Sequence, residues 1–277
     1  MIDYTKTLPT HIEKYVGEND LFLEIYLNDK KEQSKKRPPL LFVHGAYTGS
    51  WMWSKFISHF VSNGWNCYVM NFRSHYKSRN MDMTKISFED YMEDLREMIA
   101  ECKEQPILIG FSMGGILSQK IAEEVNLAGL ILIDATICKE VYDLLPYEDF
   151  EALDEAQIVE PAPDRDELFS MDESAEDIAF QKKYLSMESS KARNSYFNYK
   201  KNGGIFVDNR FITCNCLVIT QVNNEADELR GNAVAEYFHG EYTGFWDTTH
   251  TGLLIGQRYK EVVDRILVWL NKYYINI

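Results

Sequence analysis

The feature that most narrows the fold of this 277-residue chain is a regular alternation of short apolar runs with helical stripes. Leu40-Leu41-Phe42-Val43 is apolar throughout, as strands covered on both faces are. After a turn at 44–50, Trp53, Phe56, Ile57, Phe60 and Val61 recur at helical spacing and stop at Gly64. The unit then repeats. Residues 67–72 read as a strand, Ser87 can cap a helix with Phe88, Tyr91, Leu95 and Met98 on one stripe, and 106–111 is a second buried strand. A helix over 116–125 and a strand over 127–133 follow. This spacing predicts an α/β fold with a mostly parallel, doubly wound sheet and right-handed crossovers. Upstream, 11–27 alternate around Gly17-Glu18-Asn19-Asp20, which predicts a β-hairpin on an antiparallel edge.

From 137 to 210 the alternation lapses into an acidic, helix-like stretch followed by a basic cluster that includes Lys182, Lys183, Arg193 and Lys200. This segment reads as an inserted, helical cap, with 1–136 and 211–277 forming the core. Strands at 217–222 and 242–246, a helix near 233–238 and a C-terminal helix with Val262, Val263, Ile266 and Leu270 on one stripe complete the pattern.

Hydrophobic residues at 45% give enough apolar mass for a sizeable core. Forty-three acidic against 29 basic residues leave a net charge of −14, which argues against nucleic-acid and anionic-membrane partners. No apolar run approaches the ~20 residues that span a bilayer, and no signal-peptide pattern opens the chain, so a cytoplasmic location is expected. The five cysteines are odd in number and sit mostly in apolar runs, as buried thiols do. Cys214-Asn-Cys216 has no second Cys/His pair at zinc spacing, so neither a metal nor a cofactor is expected.

Gly110-Phe111-Ser112-Met113-Gly114 falls between a buried strand and an apolar-periodic helix, the context that gives a G-x-S-x-G pattern meaning. A serine on such a turn adopts a strained backbone, and small residues two before and two after let helix and strand cross closely. Ser112 is thereby raised above the carboxyl edge of the sheet, and the N–H of Met113 points into the same space. A serine nucleophile needs a base. Of six histidines, His250 lies in Thr248-Thr249-His250-Thr251-Gly252, between the last short strand and the final helix, and it follows the serine in chain order. His11, His59 and His239 read as surface or packing residues.

With these segments the chain resembles the α/β-hydrolase superfamily, serine esterases and thioesterases in particular, over nearly its whole length. His44-Gly45-Ala46 through Trp53 is similar to the HGxxxxxxxW segment of plant methyl-ester hydrolases and hydroxynitrile lyases. The resemblance makes the Ala46 N–H the second oxyanion donor, beside Met113, and His44 a loop-shaping residue. Asn71 to Ser78 resembles the structural DxRGHGxS loop, with Ser74 and Tyr76 in place of both glycines, which implies a reshaped pocket wall and demotes His75. Asn224-Glu225-Ala226-Asp227 resembles the GEAD-like acid turn after strand seven, so Asp227 is expected to orient His250, with Glu225 and Asp134, at the end of strand six, as alternatives. The serine excludes relatives that use an aspartate nucleophile, such as epoxide hydrolases and haloalkane dehalogenases.

The expected reaction is cleavage of a carboxylic ester, or second a thioester, of a small to medium, fairly apolar acyl group through Ser112, His250 and Asp227. The partner is then a small molecule, with an acyl carrier as the alternative the basic cluster suggests. Two other readings stay open: a lyase of the hydroxynitrile type using the same triad, and a ligand-binding receptor with little turnover. Aromatic residues of the cap, Tyr142, Phe150, Phe169, Tyr184, Tyr196 and Phe197 among them, are candidates to line the pocket.

Overall fold

The computed structural model describes residues 2–28, 37–147, 159–164 and 172–275. The expected hairpin is β1 (Ile12–Val16) and β2 (Leu21–Tyr26), which pair antiparallel. Then come β3 (Leu40–Val43), α1 (Ser54–Ser62), β4 (Cys67–Met70), α2 (Phe88–Glu101), β5 (Ile107–Phe111), α3 (Met113–Ile121) and β6 (Gly129–Ile133). Between β6 and the next strand lie α4 (Lys139–Leu144), α5 (Ala175–Tyr184), α6 (Ser190–Phe197) and α7 (Tyr199–Asn202). The chain closes with β7 (Asn215–Val222), α8 (Glu225–Tyr237), β8 (Glu241–Trp246) and α9 (Tyr259–Tyr274).

The strands form one eight-stranded sheet in the order β1-β2-β4-β3-β5-β6-β7-β8. β3 to β8 run parallel to one another, and β2 joins β4 antiparallel. The apolar runs explain the layers. Leu41, Val43, Leu108, Leu130 and Leu132 turn one way and pack with Tyr91, Leu95, Ile116 and Val234 of α2, α3 and α8. Leu40, Phe42, Ile107, Ile109 and Ile131 turn the other way, against Phe56, Phe60, Val262 and Ile266 of α1 and α9. β3, β5 and β6 bury both faces, as continuous apolar runs imply.

Two helices start earlier than periodicity indicates. α3 begins at Met113, because the helix opens directly off the strand at Ser112. α8 begins at Glu225, where the Asn224 side chain accepts from the Asp227 N–H and caps the first turn. Residues 225–230 are exposed or half-buried, so an apolar stripe does not report them.

β3 pairs with β4 on one side and β5 on the other, so the chain leaves β3 in one direction and returns on its far side. Crevices at such a switch point, outside the carboxyl ends of the strands, are where α/β sheets bind ligands.

Candidate active site

Ser112 stands at that switch point, between β5 and α3, with φ of 54° and ψ of −118°. This is the strained backbone the pentapeptide implies, in a region that costs a non-glycine residue about 1–3 kcal/mol. The surrounding packing enforces it. A Cβ on Gly114 would lie 2.3 Å from the Val43 carbonyl oxygen, and one on Gly110 would lie 2.6 Å from that of Gly114. No larger residue fits where α3 crosses β3 and β5.

The segment after β3 closes the other side. Thr48 N–H donates to the Gly45 carbonyl, making a turn with Ala46 and Tyr47 at its centre. A Cβ on Gly45 would sit 3.0 Å from the Ser112 Cβ, so this turn lies directly against the serine. Met113 is the first residue of α3, and its N–H therefore has no acceptor within the helix. The Ala46 N–H likewise has no acceptor among the described residues. His44 shapes the loop: its Nδ1 bonds the Gly45 carbonyl at 2.8 Å, and its Nε2 accepts from the Phe72 N–H at 3.1 Å. Full burial pushes its pKa well below the ordinary histidine value, so it stays neutral.

His250 follows β8, stacks on Phe111 with ring centroids 4.5 Å apart, and keeps its side chain 43% exposed. Its Nδ1 lies 2.5 Å from Oδ2 of Asp134. A carboxylate at this position favours the proton on Nδ1 and leaves the Nε2 lone pair free. Asp134 follows β6 at φ 42°, and its other oxygen accepts from the Gln221 N–H at 3.2 Å, which ties the acid to β7.

The structure therefore brings Asp134, and not the expected Asp227, to His250. Asp227 lines the same cavity, but its carboxylate makes no bond to His250 and instead accepts from the Asn223 N–H and from Arg230, each at 3.1 Å. Asn224, at φ −157°, is an extended N-cap and not the left-handed turn that a glycine equivalent would require. The acid-turn motif has become a helix start, whose dipole favours the acidic Glu225, Asp227 and Glu228. Glu225 is exposed on that turn.

Ser112, His250, Asp134, Ala46 and Phe111 line one cavity of about 690 Å³. Ile137, Leu185, Phe197, Val218 and Val234 make much of its wall apolar, while Thr136, Gln181, Arg193 and Arg230 add polar points. Of the aromatic candidates, Phe197 lines the cavity. Tyr142 and Tyr196 are buried in the core cluster, and Tyr184 packs against Trp51. Phe150 and Phe169 lie outside the described residues, as does the acidic stretch 148–158. Arg193 pairs with Glu160 at 2.8 Å, and Lys183 with Asp3 at 2.5 Å, so part of the basic cluster is spent internally.

The loop after β4 keeps its glycine-like backbone without glycines: Ser74 and Tyr76 stand at φ 62° and 48°. The Ser74 hydroxyl offsets the strain by accepting from the Met81 N–H at 2.7 Å. Tyr76 is not among the cavity residues; it packs edge-on against Tyr184 of α5 and so fastens the insertion to the sheet. Arg73 is structural, held by Asp94 at 2.7 Å and Asp90 at 2.6 Å. Among the described residues, His11, Glu13 and Glu24 place potential metal-ligand atoms within 4.8 Å of one another. None of them lines the cavity, and Glu13 already pairs with Lys77 at 2.7 Å.

An eight-stranded, mostly parallel sheet, with a serine on a strand-to-helix elbow and a carboxylate-bound histidine lining one cavity, has the architecture of an α/β hydrolase. Residues 40–211 match the model of the alpha/beta hydrolase family, and the chain belongs to that family. No curated protein matches the chain. Among solved structures, it is similar to a carboxylesterase of the ammonia-oxidizing thaumarchaeon Nitrososphaera gargenis, at 14% identity over 95% of this chain and 98% of that one, with a TM-score of 0.64. A thermophilic esterase from Thermogutta terrifontis is 15% identical over 96% of this chain and 100% of that one, with a TM-score of 0.65. MenH from S. aureus is 14% identical over 91% and 98%, with a TM-score of 0.65. At these identities the likeness is one of fold. No helix among the described residues is long and apolar enough to cross a membrane.

Proposed function

We propose that the protein is a serine hydrolase that cleaves carboxylic esters of small to medium, fairly apolar acyl groups, with residues 137–210 as its cap. The observation that carries this reading is the 2.5 Å contact of His250 Nδ1 with Asp134, in the cavity that also holds the Ser112 elbow. The solved esterases that share the fold support the same chemistry.

In this mechanism His250 Nε2 takes the proton of the Ser112 hydroxyl as its oxygen attacks the ester carbonyl. The Ala46 and Met113 N–H groups receive the oxyanion, each donor worth about 3 kcal/mol of barrier. Collapse of the intermediate breaks the ester C–O bond, and the proton on Nε2 passes to the departing alcohol. Water then enters, gives its proton to Nε2, and attacks the acyl-serine; the second collapse frees the acid and restores Ser112. Asp134 holds the imidazole tautomer through both halves. The apolar wall formed by Ile137, Leu185, Phe197, Val218 and Val234 suits the acyl chain. A thioester would pass through the same steps, with a thiol leaving.

Hydrolysis of p-nitrophenyl esters from acetate to laurate tests the reading. Turnover is expected to peak at a short or medium chain and to fall at least about 10⁴-fold in Ser112→Ala. Turnover that survives Ser112→Ala, or none on any ester or thioester, would overturn it. Cleavage of a cyanohydrin without ester turnover would put lyase chemistry in its place.

A further inference from the structure

The loop that carries the histidine is gripped by two carboxylates of the insertion. We propose that Asp172 and Glu173 are positioning residues for His250, so that the insertion supports the general base as well as covering the cavity; this rests on the hydrolase reading above. The contacts surround the histidine. Thr248 Oγ1 donates to Asp172 Oδ2 at 2.7 Å, Thr249 Oγ1 to Glu173 Oε2 at 2.7 Å, and Thr251 Oγ1 to Glu173 Oε1 at 2.9 Å. All three threonines that neighbour His250 in sequence thus end on one acidic dipeptide.

The backbone makes room for it. Gln257 N–H donates to the Asp172 carbonyl at 2.9 Å. A Cβ on Gly252 or Gly256 would lie 2.3 or 2.6 Å from an Asp172 carboxylate oxygen, so the segment after His250 fits this side chain closely. Both acids are at least nine-tenths buried. Gln181, which lines the cavity, donates from Nε2 to Glu173 Oε1 at 2.5 Å, so the brace borders the substrate space. Asp134 fixes the imidazole from the sheet side, and Asp172 and Glu173 fix its backbone from the insertion side.

A loop held this way needs to shift by only about 1 Å to cost on the order of 10²-fold in rate. In the full chain, Glu173→Ala is expected to lower kcat 10- to 100-fold on a p-nitrophenyl ester, with KM changed less than about threefold. Glu173→Gln, which keeps one acceptor oxygen, should recover most of that loss. In a Thr249→Val, Thr251→Val background, Glu173→Ala should add little to the loss of kcat, because its bonds to the histidine loop are already gone. Assays run well below each variant's Tm and normalised to folded protein separate this from simple destabilisation; if Glu173→Ala does not fold, Thr249→Val and Thr251→Val carry the same expectation. A kcat within twofold of wild type, or additive losses without recovery in Glu173→Gln, would overturn the proposal. Turnover that persists in His250→Ala would instead overturn the hydrolase reading.

Discussion

Replacing Asp134 by asparagine is expected to lower kcat for ester hydrolysis by about 10⁴-fold with little change in KM, because an amide can donate to Nδ1 and stabilise the wrong imidazole tautomer. The His250 to Asp134 contact is the only acid contact His250 makes among the described residues, so no second carboxylate takes over. Asp227→Asn is expected to stay within a few-fold of wild-type kcat. Asp227 serves the first turn of α8 and Arg230, and its loss should cost about 1 kcal/mol of stability instead. Steady-state kinetics and thermal melts of the two variants check both halves. The reverse ranking would return the acid to the turn after β7.

A buried ion pair attaches the segment between β6 and β7 to the loop after β4. His75 and Glu188 are both fully buried, with Nε2 to Oε2 at 3.2 Å, and they join the loop after β4 to the start of α6. Glu188 also accepts from the Tyr91 hydroxyl and from the Ser189 N–H. Burial alone would raise the Glu188 pKa, yet the charge of His75 and these donors outweigh it and hold it below the usual carboxylate range. Burial alone would lower that of His75, yet the Glu188 carboxylate outweighs it and raises the imidazole above its ordinary value.

Breaking such a pair from one side leaves an uncompensated buried charge, so Glu188→Gln is expected to destabilise the protein by about 3–5 kcal/mol, lowering Tm by roughly 10 °C. The pH dependence follows from the two shifts. The raised pKa of His75 gives stability that is full below the ordinary histidine range and lost as pH rises through the folded value; the lowered pKa of Glu188 gives stability that is full above the ordinary glutamate range and lost as pH falls through the folded value. The Tm gap between wild type and Glu188→Gln should therefore be widest between those limits and shrink at both ends. A gap that is constant with pH would mean that packing, not charge, joins the two segments.

The α/β architecture was legible because β3, β5 and β6 each bury both faces, and strands of that kind write an unbroken apolar run into the sequence. The serine elbow was legible for a related reason, since Gly110 and Gly114 stand where added side chains would collide with backbone. The carboxylate beside His250 was harder to read. Asn224-Glu225-Ala226-Asp227 encodes two structures at once, an acid turn and a capped helix start, and the local capping bonds prevail. Asp134 carries no local mark beyond its place after an apolar strand, and its partner lies 116 residues away. The grip of Asp172 and Glu173 on Thr248, Thr249 and Thr251 is equally silent in sequence, because hydroxyl-to-carboxylate contacts across some 76 residues leave no periodicity. The Ser74 and Tyr76 substitutions suggested an altered pocket wall, whereas the backbone keeps its positive φ at both sites and Tyr76 faces the insertion.

Covalent labelling tests whether Ser112 is a nucleophile activated by His250 in this cavity. Reaction of the folded wild-type protein with a fluorophosphonate, followed by intact mass and peptide mapping, should give a single adduct on Ser112. The adduct should be absent in Ser112→Ala and much slower to form in His250→Ala and Asp134→Asn. A folded wild-type protein that takes up no label, or takes it up on another residue, would rule out Ser112 as the nucleophile and favour a binding protein that keeps the hydrolase fold without its turnover.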